Sequence, residues 1–211
     1  MNKEAKIHLS SLESELVNNT EWIFTKQIII QKVQHILGDL HLYYKQIIQQ
    51  EQGLIPKVFQ TPGGKITKGE NYRGLPYLIL DYPAIFSKED IFAVRTMFWW
   101  GNFFSISLHV SGKHLSQFQN IRELLEGLAK KDFFICVNDK EWEHHFQPDN
   151  YCRVDDLSEE EIVGLGKNGF FKISKKIELN QWDSVVFFLV QSFREIIEFI
   201  KISFPNDERA L

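Results

Sequence analysis

Between residues 103 and 111 the chain alternates with period two: Phe104, Ile106, Leu108 and Val110 are interleaved with Phe103, Ser105, Ser107, His109 and Ser111. Successive side chains of a strand leave to opposite faces, so this spacing predicts a β-strand with one apolar and one polar face. Phe171, Ile173, Ile177 and Leu179 alternate in the same way with Lys172, Ser174, Lys176 and Glu178. One-faced strands belong to antiparallel sheets covered on one side, whereas parallel sheets need strands apolar on both faces. The predicted class is α+β: a mainly antiparallel sheet of about four to five strands with helices on one face.

Two long helices flank these strands. Residues 3–17 form a first amphipathic segment that ends near Asn18-Asn19, and Thr20 then caps a second helix. In that helix Ile29, Val33, Ile36, Leu40, Tyr43 and Ile47 recur at the three-and-four spacing of a packed seam. Thirty helical residues run to about 45 Å, against a diameter near 43 Å for a domain of this size. The helix therefore crosses the molecule, bends at Gly38, or protrudes with its end as a dimer contact. At the other end of the chain, residues 182–202 read as a long, densely apolar helix that fills the core.

Between the long helices, Leu75 to Tyr82 reads as a buried strand bracketed by prolines, and Phe133 to Val137 as another. Ser87 with Asp90 reads as a helix start, continued by Ile91, Val94, Arg95 and Phe98 to Trp99 or Trp100. Leu115 to Ala129 reads as a helix, and Ser158 with Glu161 caps a short one to Leu165. Residues 53–74 hold five glycines and two prolines, with Lys57, Lys65, Lys68 and Arg73 against Glu70, and read as a basic loop. With no repeat or linker in view, residues 1–211 are read as a single domain in which 1–52 form a helical hairpin packed on the sheet.

Charge and motif spacing narrow the function. A formal net charge of −4 argues against an electrostatic grip on nucleic acid or on an anionic membrane surface. The longest apolar run, Val185 to Val190, is far shorter than the roughly 18–20 residues that span a bilayer. The N-terminal residues lack the apolar core of a secretory signal, and Cys136 and Cys152 stand apart with no Cys-x-x-Cys pair, so two free thiols and a cytoplasmic location are expected. Gly164-Leu-Gly166-Lys-Asn-Gly169 satisfies G-x-G-x-x-G, but a helix precedes it and a strand follows, the reverse of the order a pyrophosphate site needs. Gly63-Gly64-Lys65 likewise fails as a phosphate loop, so no cofactor is expected. His144 and His145 lie among Glu141, Glu143 and Asp149, yet adjacent side chains diverge, and the stretch around Trp142 reads as a solvated polar segment with no metal. Ser105, Ser107 and His109 share one strand face, read as an exposed Ser-rich and Lys-rich surface.

Eighteen phenylalanines fall mainly on strand faces and in the last helix, where packing accounts for them. That leaves the Tyr, Trp and Arg residues between positions 72 and 100. Arginine with large rings is the composition of recognition surfaces, since rings bury area at little entropy cost and guanidinium directs hydrogen bonds. The leading expectation is a non-catalytic binding or interaction domain using the surface around 65–102, with Tyr72, Arg73, Asp81, Arg95 and Trp99 meeting a protein or a small anionic ligand. A homodimer through the 21–50 helix is the associated expectation. The alternative is a small-substrate hydrolase or transferase with His109 or His145 as general base and Arg73 or Arg95 as anion clamp.

Overall fold

In the computed structural model, residues 7–57, 63–117 and 121–203 are described. One antiparallel sheet of seven strands organises them, in the order β1-β2-β3-β4-β7-β5-β6. The strands are β1 (Lys65–Tyr72), β2 (Leu75–Phe86), β3 (Ile91–Trp99), β4 (Phe103–Ser111), β5 (Phe134–Cys136), β6 (Tyr151–Arg153) and β7 (Phe170–Glu178). The class is α+β as expected, with seven strands where four to five were read. β5 and β6 are only three residues long, too short to show a period. Cys136 pairs with Tyr151, and Cys152 with Ile135, so the cysteines point to opposite faces and remain free thiols.

The helices are α1 (Ser11–Asn18), α2 (Thr20–Gln50), α3 (Lys113–Ser116), α4 (Ile121–Ala129), α5 (Glu159–Gly164) and α6 (Val185–Ser203). α2, α4 and α6 pack on one face of the sheet, against Leu78 and Leu80 of β2, Val94 and Phe98 of β3, Ile106 and Leu108 of β4, and Ile173 of β7. Thr96 points into this apolar layer with no exposure, where an unbonded hydroxyl is costly. Tyr44 meets it: the two hydroxyls lie 3.1 Å apart, and the Tyr44 ring stacks on Phe193 at 3.9 Å.

Several segments depart from the sequence reading. The expected helix from Ser87 to Trp100 is instead a tight turn and β3. The Ser87 hydroxyl accepts from the Asp90 amide at 2.9 Å, a turn in which a serine mimics a helix cap. Ile91–Trp99 is buried on both faces, which erases the period-two signal and leaves apolar residues at helical spacing by accident. The later part of the expected 53–74 loop is β1, an edge strand whose polar residues need no burial and so carry no periodicity. The described part of the first helix begins at Ser11, with Ser10 and Glu13 forming a capping box, and Asn19 rather than Thr20 caps α2. Residues 3–6 of the expected helix lie outside the described residues, as do positions 58–62 of the expected loop and 118–120 of the expected 115–129 helix. The remainder of that last helix is α3 and α4, and the expected C-terminal helix begins at Val185 after a 3-10 segment over Leu179–Ser184.

α2 runs unbroken through Gly38, and its buried seam is Val33, Leu37, Leu40, Tyr44, Ile47 and Ile48, with Ile29, Ile36 and Tyr43 of the expected seam outside it. Every buried residue of α2 lies at or beyond position 33, so its first turns extend past the core. There Trp22 touches Trp100 edge-on at 6.4 Å and Lys26 pairs with Glu70 at 3.2 Å. Leu37→Ala is expected to cost about 2–5 kcal/mol, and Phe24→Ala less than about 0.5 kcal/mol, read as the change in urea unfolding free energy.

Candidate functional site

The sheet's second face carries the polar half of the alternation. Cross-strand pairing aligns Asp81, Arg95, Ser107 and Ser174 into one row and His109 with Lys172 into the next. This face was expected to be solvated. It is buried instead, because the segment after β5, residues 137–150, folds back over it. His109, Ser107, Ser174, Lys172 and His145 are all 5% exposed or less. The histidine-rich stretch read as a solvated polar segment is thus a cover: His145 is buried beneath it, while Trp142 keeps the exposure expected of it.

Hydrogen bonds to main-chain groups fasten the cover. The Lys172 ammonium donates to the Glu141 and Glu143 carbonyls, each at 2.7 Å. Tyr72 donates to the Glu143 carboxylate at 2.9 Å and accepts from the His144 and His145 amides at 2.7 and 3.1 Å. Arg95 makes a bidentate pair with Asp81, at 2.8 and 3.0 Å. Its guanidinium also lies over the Trp142 ring, 5.3 Å from the centroid, and over Phe86 at 5.8 Å. The remaining Arg95 contact is His144 Nε2, at 3.2 Å. Arginine can only donate, so this nitrogen accepts and His144 is neutral, with its proton on Nδ1.

Burial sets the protonation of the other groups. Desolvation, helped by Lys172 and Arg95, pushes His109 down to about 3. It is therefore neutral at pH 7, and its Nε2–H donates to Glu141 at 3.2 Å. Desolvation also lowers His144 and His145, and it brings Lys172 down to about 8. The same effect raises the Cys136 thiol, which disfavours the nucleophilic thiolate.

All seven residues singled out from the sequence lie on or at the rim of this face. Tyr72 packs against Trp99 at 5.1 Å, within an apolar cluster of Ile79, Met97, Trp99 and Phe103. Trp99 is buried, and its indole N–H finds no acceptor among the described residues. Arg73 stands at the rim in the left-handed turn between β1 and β2, 3.7 Å from Glu143. His109 and His145 point to different carboxylates, and the nearest Glu143 oxygen is 3.4 Å from His145 Nε2. Among the described residues, no three His, Cys, Asp or Glu side chains converge as metal ligands would. Sequence reasoning missed Lys172 and Ser174. Their signal was their parity with Ser107 and His109, legible only once β4 is paired with β7.

A second feature opens on the helix side of the sheet edge. The first turns of α2 and the β1–β2 hairpin enclose a cleft of about 400 Å³. Its apolar floor is Ile23, Ile30, Pro76 and Leu78; Gln27, Gln31, Gln34, Lys26, Lys68 and Glu70 line its walls. Along α1 and the start of α2, Leu12, Leu16, Val17, Trp22, Phe24 and Ile28 are all exposed, an unusual density of large apolar side chains in water. No protein-family model matches the chain, and no curated protein or solved structure is significantly similar to it.

The protonation states generate two expectations. Lys172 titrates near 8 when folded and near 10.5 when unfolded. The native state thus binds fewer protons between those values, and stability rises with pH across that window. Wild type is expected to gain up to about 3 kcal/mol over Lys172→Met from pH 8 to 10.5 in urea titrations. His109 has the opposite limb: its neutral form stabilises the fold fully above pH 6.5, and that contribution is lost as pH falls towards 3. Wild type is expected to lose stability more steeply than His109→Gln over that range, in the same measurement.

Proposed function

We propose that this chain is a non-catalytic binding domain that meets a protein partner where the 65–78 segment faces the start of α2. The observation that supports it most is the contrast between the two sides of the sheet. On the second face the groups suited to catalysis are bonded within the fold: two histidines are neutral, the lysine holds two carbonyls and the arginine holds a carboxylate. On the helix side, the cleft is open and amphipathic, and the same α2 segment exposes Trp22, Phe24 and Ile28. In this reading Asp81, Arg95 and Trp99 support the hairpin from behind, and Arg73 is the outward member of the aromatic and arginine cluster. The two unbridged thiols agree with a reducing compartment such as the cytoplasm.

A second reading is a hydrolase or transferase with His109 as base and Arg95 as anion clamp. The His109–Glu141 contact beside Arg95 favours it. Chemistry would require segment 137–150 to leave the sheet, breaking the Lys172 and Tyr72 bonds.

A photo-cross-linking side chain placed at Gln31 in the cleft distinguishes the readings, with the same probe at Lys88 in the β2–β3 turn as control. Binding through the cleft predicts a discrete adduct from Gln31 and none from Lys88, lost with Lys68→Glu and retained with His109→Gln. Equal, diffuse labelling at both positions would sink the proposal.

A further inference from the structure

We infer that the cleft is occupied by α1 of a second copy of this chain, so that two molecules exchange their N-terminal helices. This rests on the binding reading above and names its partner. α1 is a well-formed helix with no buried residue. A short helix is marginal alone in water, so its stability comes from an apolar face placed against something. Leu12 and Leu16 stand one turn apart on α1 as an apolar stripe, and Leu9 precedes the N-cap Ser10 at its start. Leu9, Leu12 and Leu16 are 59%, 63% and 43% exposed.

The cleft has a matching pattern. Ile23, Gln27, Ile30 and Gln34 line its helical wall at spacings of four, three and four, with Pro76 and Leu78 opposite. Charge is complementary as well. Glu13 and Glu15 are the only ionisable residues of α1, while Lys26 and Lys68 stand on the cleft against Glu70 alone.

The joint between α1 and α2 argues for another molecule's helix over the chain's own. A single residue, Asn19, separates them and caps both: its amide donates to the Leu16 carbonyl at 3.1 Å, and its side chain accepts from the Trp22 amide at 2.9 Å. Folding α1 back along its own α2 would break both caps. Area supports a reciprocal pair. The exposed parts of Leu9, Leu12 and Leu16 come to roughly 300 Å², so one N-terminal segment (α1 with the residue before its cap) in one cleft hides about 600 Å², and two hide about 1,200 Å², the lower limit of a stable specific interface. Two-fold exchange reaches that limit, and a single docking does not.

Sedimentation equilibrium on the full chain tests this directly. Wild type is expected to dimerise reversibly below about 100 µM. Leu12→Glu/Leu16→Glu changes only exposed residues, so it is expected to keep the wild-type circular dichroism and unfolding midpoint while weakening association at least about tenfold. Lys68→Glu and Glu15→Lys are each expected to weaken it, and the two together to restore it. A wild type that stays monomeric at that concentration, or a dimer indifferent to the leucine pair, overturns the exchange. If Gln31 still cross-links to a different protein in that case, the cleft remains a binding site and only the occupant named here is wrong.

Discussion

Burying the Lys172 ammonium, 2% exposed in the middle of a sheet, imposes the constraint from which the rest of the molecule follows. A charge taken out of water needs bonded oxygen. The Glu141 and Glu143 carbonyls supply the oxygen, and doing so pins the segment between β5 and β6 across the sheet. Once pinned, that segment seats Trp142 over Arg95 and packs Phe146 against Phe103 and Tyr151. A sheet with helices on only one face thereby has two buried faces, the first apolar and the second polar and aromatic.

The two faces are held differently. On the helix side, Tyr44, Phe193 and their neighbours interlock through contact area, and one hydroxyl pair neutralises the lone Thr96. On the covered side, hydrogen bonds to main-chain atoms and a bidentate arginine pair set the geometry, with rings filling the space between. A network of this kind specifies one arrangement strongly, because each donor left unmatched at low dielectric is expensive. It also ties Lys172, Arg95 and Tyr72 into internal bonds. At the other end of the molecule α2 outruns its own buried seam, and α1 precedes it with no buried residue.

Much of this was readable from local pattern. The Phe103–Ser111 alternation points to an antiparallel sheet, and Val33, Leu40 and Ile47 of the expected α2 seam are buried, while Leu37 and Tyr44 take the places of Ile36 and Tyr43 and Ile29 lies outside it. Pattern failed where burial was two-sided or absent. In β3, Phe92 and Val94 face the helices while Arg95 and Met97 face the cover, so neither period survives. In β1, an edge position leaves Lys65 and Lys68 in water, so no apolar alternation betrays a strand. For Ser107, His109 and Lys172 the parity was right and the environment wrong: polar residues on a strand face normally mean solvent. Nothing local announces that a loop about 30 residues away in sequence will cover them.

By itself, then, the sequence determined the class of the fold, the faces of β4 and β7, the long helices and the freedom of the two thiols, since each depends on neighbours within a turn or a strand. It also placed Tyr72, Arg73, Asp81, Arg95 and Trp99 close in the chain. Whether that closeness makes a surface was left to tertiary structure, because exposure is a property of what lies on top. Pairing β4 with β7 and laying residues 137–150 over them turned Arg95 and Asp81 into an internal pair. The same packing left a cleft between α2 and the β1–β2 hairpin, because the hairpin extends beyond the buried part of α2.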